Sequence, residues 1–111
     1  MEEAQLWNKE AADKFTKYME DEIKLLLGES DFEASIDNLC HERIGDCAQQ
    51  KLKAIKKANY KYVTDVMIMP RGSGYKKDTK FFWQPKSDKA IRVTVSTDYL
   101  HCSLVAYCLH V

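Results

Sequence analysis

Apolar and polar positions recur along this chain with two different periods, and the period changes near residue 59. From residue 4 to residue 27, Trp7, Ala11, Phe15, Tyr18, Met19, Ile23, Leu26 and Leu27 fall at three- and four-residue steps. That spacing draws one apolar stripe on a helix. Lys9, Glu10, Asp13, Lys14, Lys17, Glu20, Asp21 and Lys24 fill the other side. Glu10 with Lys14 and Asp13 with Lys17 have the favourable acid-before-base order. Gly28 supplies a stop just past the last periodic leucine. A linker over 29–34 leads to a second helix. Ser35 can cap it, and Ser30 with Glu33 offers a competing capping box. Its stripe is Ile36, Leu39, Cys40, Ile44, Cys47, Ala48, Leu52 and Ile55, and its basic end (Lys51, Lys53, Lys56, Lys57) complements the helix dipole. Gly45 inside that helix fits a close approach of another backbone or simple tolerance.

Beyond residue 59 the period is two. Tyr60, Tyr62, Thr64, Val66 and Ile68 alternate with Lys61, Val63, Asp65, Met67 and Met69, a strand with one apolar and one mixed face. Pro70-Arg71-Gly72-Ser73-Gly74 ends it, because proline donates nothing to a ladder and glycines supply the positive φ of a tight reversal. Lys76 to Trp83 reads as a second strand, charged where it begins and aromatic where it ends. Such a strand suits an edge, or pairing with another chain. A loop follows over Gln84–Lys89. Ala90–Ser96 is a strand with Ile91, Val93 and Val95 inward, and Thr97-Asp98 is a turn. Tyr99–Val111 is apolar on both faces, the mark of a central strand. Helix, helix, then four strands predicts an α+β fold, with two N-terminal helices packed on a four-stranded antiparallel sheet. The 111 residues suffice for a single domain.

Composition narrows the function. A net charge of zero argues against general affinity for nucleic acid or acidic membranes. No apolar run reaches the ~18 residues of a membrane span. The acidic start Met1-Glu2-Glu3-Ala4 lacks an apolar signal region, so no secretion is expected. Cys40, Cys47, Cys102 and Cys108 include no pair two residues apart, so neither a zinc ribbon nor a redox motif is present. They read as small buried hydrophobes, with a disulfide or metal as the alternative. No catalytic constellation and no cofactor site emerges. Ser73 lacks the frame of a nucleophile turn, and the glycines lead into no helix that could receive a phosphate. Arg71, Lys76 and Lys77 beside Phe81, Phe82 and Trp83 offer one alternative function, a single-stranded nucleic-acid-binding hairpin.

The order and spacing of these pieces resemble the Tctex-type dynein light chains, over about Lys9 to Val111. Lys61-Tyr62 with the hydrophobics that follow, Gly72-Ser73-Gly74, the pair Phe82-Trp83 and the closing run Cys102 to Val111 carry the resemblance, with Phe32 at the aromatic position before helix two. Pro70-Arg71 and Cys40 depart from the family pattern and mark a divergent member. The resemblance implies a non-catalytic homodimer that exchanges its second strand, here about Lys77 to Gln84, between protomers. It also implies binding of the dynein intermediate chain as an added strand at the dimer interface, along Asp78, Thr79, Lys80, Phe81, Phe82 and Trp83. Cargo proteins are further implied partners. The implied setting is the microtubule cytoskeleton of the cytoplasm, or the axoneme of a cilium or flagellum.

Overall fold

The computed structural model describes Trp7 and residues 9–55, 59–72 and 89–111. The elements in order are α1 (Lys9–Leu27), α2 (Phe32–Asp37), α3 (Cys40–Ala54), β1 (Tyr60–Pro70), β2 (Lys89–Ser96) and β3 (Leu100–His110). The three strands form one antiparallel sheet in the order β1-β3-β2, and the helices pack on one of its faces. Among the described residues this is an α+β arrangement with three strands. The expected strand over Lys76–Trp83 lies outside the described residues.

The stripe of α1 is buried as its spacing requires: Phe15, Met19 and Ile23 are each fully covered. They meet Ile44, Ala48 and Leu52 of α3 and the inward residues of β2 and β3. Gly28 ends α1 in the left-handed region at φ +53°, its N–H bonded to the Lys24 carbonyl, as a helix-ending glycine does.

The expected single second helix is broken into two. Asp31 caps α2, its carboxylate accepting from the Ala34 N–H at 2.8 Å, so neither Ser35 nor the Ser30/Glu33 pair is the cap. Ser35 is buried instead, its hydroxyl donating to the Phe32 carbonyl. Leu39 adopts φ 53°, ψ 40°, and α3 restarts at Cys40. One left-handed residue re-aims the helix axis. The stripe therefore loses phase at the break, and Ile36 and Leu39, expected in the core, are about half exposed.

Gly45 is where α3 meets β1. A Cβ placed there would lie 3.7 Å from Cγ2 of Val66, an ordinary contact. The site is close to a side chain yet has room for a methyl group. Gly45→Ala should therefore stabilise the fold by about 0.5–1 kcal/mol. In thermal unfolding this appears as a rise of about 4 °C in Tm.

β3 is the central strand of the three, and its inward residues Leu100, Cys102, Leu104, Ala106 and Cys108 are fully buried. Val105, on its other face, is 9% exposed, while Tyr107 and Leu109 are half-buried. Thr97 builds the β2–β3 turn, its hydroxyl accepting from the N–H groups of Tyr99 and Leu100.

Candidate strand-accepting site

What this fold offers a partner is set by the parity of its hydrogen bonds. In an antiparallel ladder alternate residues exchange bonds with the neighbouring strand, and the intervening ones point their N–H and C=O away from it. The Arg71 N–H donates to the Tyr99 carbonyl, and the Val111 N–H to the Asn59 carbonyl. Both contacts continue the β1–β3 register, in which Val63 faces Tyr107 and Asp65 faces Val105. Odd residues of β1 thus bond β3. The main-chain groups of Tyr62, Thr64, Val66 and Ile68 face the sheet's outer edge. Pro70 is also at an edge-facing position, so its missing N–H breaks no ladder bond.

On the other side, the Thr97 N–H donates to the Leu100 carbonyl at 2.8 Å. This extends the β2–β3 register, in which Val93 faces Leu104 and Val95 faces Cys102. The main-chain groups of Ala90, Arg92, Thr94 and Ser96 therefore face the opposite edge.

The two edges differ. Gln49 of α3 donates from Nε2 to the Tyr62 carbonyl at 3.3 Å, and lies 3.4 Å from the Thr64 hydroxyl, blocking part of the β1 edge. Trp7 guards the same end: its indole N–H donates to the Tyr62 hydroxyl at 2.9 Å and its backbone N–H to the Tyr60 hydroxyl at 3.0 Å. Trp7 meets Phe15 and Tyr62 edge-on, Tyr60 stacks on Tyr62, and Tyr60 meets His110 edge-on. Burial pushes the Tyr62 phenol upward in pKa, partly opposed by the Trp7 bond. Beyond the β2 edge lies no strand among the described residues. Four residues of β2 thus turn their main-chain groups to an edge with no partner strand among the described residues, in the pattern an added strand requires.

The outer face of the sheet, away from the helices, has a mixed side and a mostly polar side. The register places Val63, Tyr107 and Ala90 in one row, Asp65, Val105 and Arg92 in the next, then Met67, Ser103 and Thr94. Val63 is 42% exposed. The face is mixed over β1 and β3, where Val63, Met67, Val105 and Tyr107 lie among Asp65 and Ser103, and mostly polar over β2.

The remaining sequence-level candidates sort as follows. Asp78, Thr79, Lys80, Phe81, Phe82 and Trp83 lie outside the described residues, as do Ser73, Lys76 and Lys77. Arg71 is described and exposed, and its guanidinium donates to the Thr97 carbonyl at 3.1 Å, tying the β1 end to the β2–β3 turn. No group of metal-ligating side chains occurs among the described residues. No helix among them is long and apolar enough to cross a membrane.

All four cysteines are free thiols. Burial pushes the pKa of Cys102 and of Cys108 up to about 12. The half-buried Cys47 is raised as well, chiefly by burial, and lies 4.0 Å from the Tyr18 hydroxyl. Thiolates are the reactive form. Iodoacetamide at pH 8 should leave Cys102 and Cys108 unmodified in the folded chain, and Cys40 too because it is buried from the reagent, and should modify all four in denaturant, read by mass. A folded pKa above the unfolded value means stability present below the unfolded value and lost as pH climbs through the folded one. With an ordinary thiol value of 9, stability should decline as pH rises from 9 towards 12.

Among the described residues, then, a helical layer covers one face of a sheet whose β1 edge meets Gln49 and beside whose β2 edge no further strand lies. The Tctex-1 family profile matches residues 5–109. The chain belongs to the Tctex-1 family, whose members are non-catalytic accessory light chains of the microtubule motor dynein. No curated protein matches it.

Proposed function

We propose that this chain forms a homodimer by exchanging a strand from Lys77 to Gln84, and that the dimer binds the dynein intermediate chain as a further added strand. Asp78, Thr79, Lys80, Phe81, Phe82 and Trp83 are the strand residues assigned to this contact. The observation that carries the reading is the β2 edge at Ala90, Arg92, Thr94 and Ser96, beside which no strand lies among the described residues, set against the Gln49-blocked edge of β1. Chain geometry supports it. β1 ends beside Leu100 and β2 begins beside Cys108, at opposite ends of β3. The sixteen residues of 73–88 have to bridge that separation. At about 3.4 Å per residue they have the reach to extend to a second copy and return. The apolar part of the outer sheet face gives that second copy a surface to cover.

The reading makes the protein a structural adaptor. Main-chain bonds supply affinity, alternate side chains of the added strand supply selectivity, and cargo proteins use the same mode. Its place is on microtubule motors of the cytoplasm or of a cilium or flagellum. Sedimentation equilibrium at micromolar concentration tests the dimer, with a mass of twice 12.9 kDa expected. A mass of 12.9 kDa at that concentration overturns it.

A further inference from the structure

Among the described residues, four of the seven exposed large hydrophobic side chains lie on the helical layer: Tyr18 (37% exposed), Leu25 (76%), Ile36 (50%) and Leu39 (51%). They are not scattered. Tyr18 and Leu25 are seven residues apart on α1 and so share a helix face. α3 runs antiparallel beside that face. At one end the Cys47 thiol lies 4.0 Å from the Tyr18 hydroxyl and the Lys51 ammonium sits 4.4 Å from the Tyr18 ring centre. At the other the Cys40 thiol donates to the Leu26 carbonyl. That second contact brings the α2–α3 corner, with Ile36 and Leu39, to the last turn of α1. The result is a seam between two helices with an aromatic at one end and leucines at the other.

Two further features say what would cover it. Leu39 holds a left-handed conformation, φ 53°, which an asparagine or glycine adopts with less strain, and its side chain still faces water. The chain that forms the Leu39 end of the seam is also lopsided in charge: from Asp21 to Asp46 there are eight acidic residues against two basic ones, Lys24 and Arg43, while the lysines Lys14, Lys17 and Lys51 belong to the Tyr18 end. A surface of that sign repels an anionic membrane and repels a second copy of itself. It attracts a cation-bearing partner with apolar side chains at helical spacing.

We infer that the α1–α3 seam is a docking groove for a basic amphipathic helix of a partner protein. Its leucine-type residues rest on Leu25, Ile36 and Leu39, and its lysines and arginines lie among the surrounding carboxylates. Lys51 already covers the Tyr18 ring, so the most basic part of the partner helix sits at the Leu39 end. The groove is on the outer side of the helical layer, so it serves a partner other than the added strand.

The test uses a fluorescent leucine–lysine amphipathic peptide of about five helical turns and a leucine–glutamate counterpart. The lysine peptide should bind at 0.1 M salt and weaken at 1 M, where the screening length falls from about 10 Å to 3 Å. The double variant Leu25→Asn with Leu39→Asn keeps the fold, because asparagine accepts the left-handed conformation and Leu25 faces water. It should bind at least about tenfold more weakly, as should Glu33→Lys with Asp37→Lys. Val63→Ser, on the outer sheet face, should bind as the natural chain does. Circular dichroism confirms the fold of each variant. Failure of the lysine peptide to bind, equal binding of the glutamate peptide, or unchanged binding by the leucine variants overturns the proposal, and none of these results touches the β2 edge.

Discussion

Trp7→Ala should lower stability by about 3–5 kcal/mol, the range for deleting a large buried aromatic. Trp7 is 5% exposed and precedes the first helix, so its effect comes from what it covers. Its ring meets Phe15 and Tyr62 edge-on, and its indole N–H occupies the Tyr62 hydroxyl. Alanine leaves a cavity at the junction of α1 and β1 and an unpaired hydroxyl in a half-buried position. A loss of that size is a large share of the 5–15 kcal/mol that typically holds a domain folded. Trp7→Phe separates the two contributions. It keeps most of the apolar packing and loses the hydrogen bond, for a cost of about 1–3 kcal/mol. Urea unfolding reads both. An alanine variant as stable as the natural chain would mean that Trp7 does not hold the end of β1.

Thr94→Pro should leave the chain folded and weaken the proposed dimer, whereas Val93→Pro should unfold it. The two residues are neighbours, and the difference lies only in which way their N–H groups point. The Val93 N–H faces β3, where Val93 pairs with Leu104. Proline there removes a ladder bond and drives its ring into the neighbouring strand, at about 3 kcal/mol or more. The Thr94 N–H faces the β2 edge, where proline is tolerated. There it denies an incoming strand one main-chain bond and a close approach, which weakens association by roughly 10–100-fold. Sedimentation and circular dichroism distinguish the outcomes. A Thr94→Pro protein that remains fully dimeric would mean the second copy does not join at β2.

The α1 stripe and the central place of β3 were legible because they rest on long, regular patterns. The stripe keeps one phase from Ala11 to Leu27, and Ala11, Phe15, Met19, Ile23 and Leu27 are buried by one helix on one core, while Tyr18 is left exposed. Apolar residues on both faces of β3 likewise leave only an interior position. The break in the second helix was not legible, because the left-handed residue is a leucine. Glycine or asparagine would have announced the break, whereas a leucine at stripe spacing reads as core. The cap was misassigned for a related reason: Ser30, Asp31 and Ser35 are all competent caps, and the choice depends on where Phe32 packs.

The candidate site divides in the same way. The expectation of an added strand came from the charged and aromatic run over Lys76–Trp83, which lies outside the described residues. That α3 covers part of the β1 edge was not legible, because it depends on Gln49 reaching the Tyr62 carbonyl across thirteen residues of sequence. The groove of Tyr18, Leu25, Ile36 and Leu39 was hidden as well. Tyr18, Ile36 and Leu39 each fit a core stripe on spacing alone, and only the re-aimed helix axis turns the corner pair outward.

The most direct test is a pull-down with the tagged chain from a lysate of its own source, after its dimer has been verified. The account predicts recovery of dynein intermediate and heavy chains, lost when Asp78 to Trp83 are replaced and when Thr94 is replaced by proline. Recovery undiminished by those changes, or no dynein chain recovered at all, would contradict it.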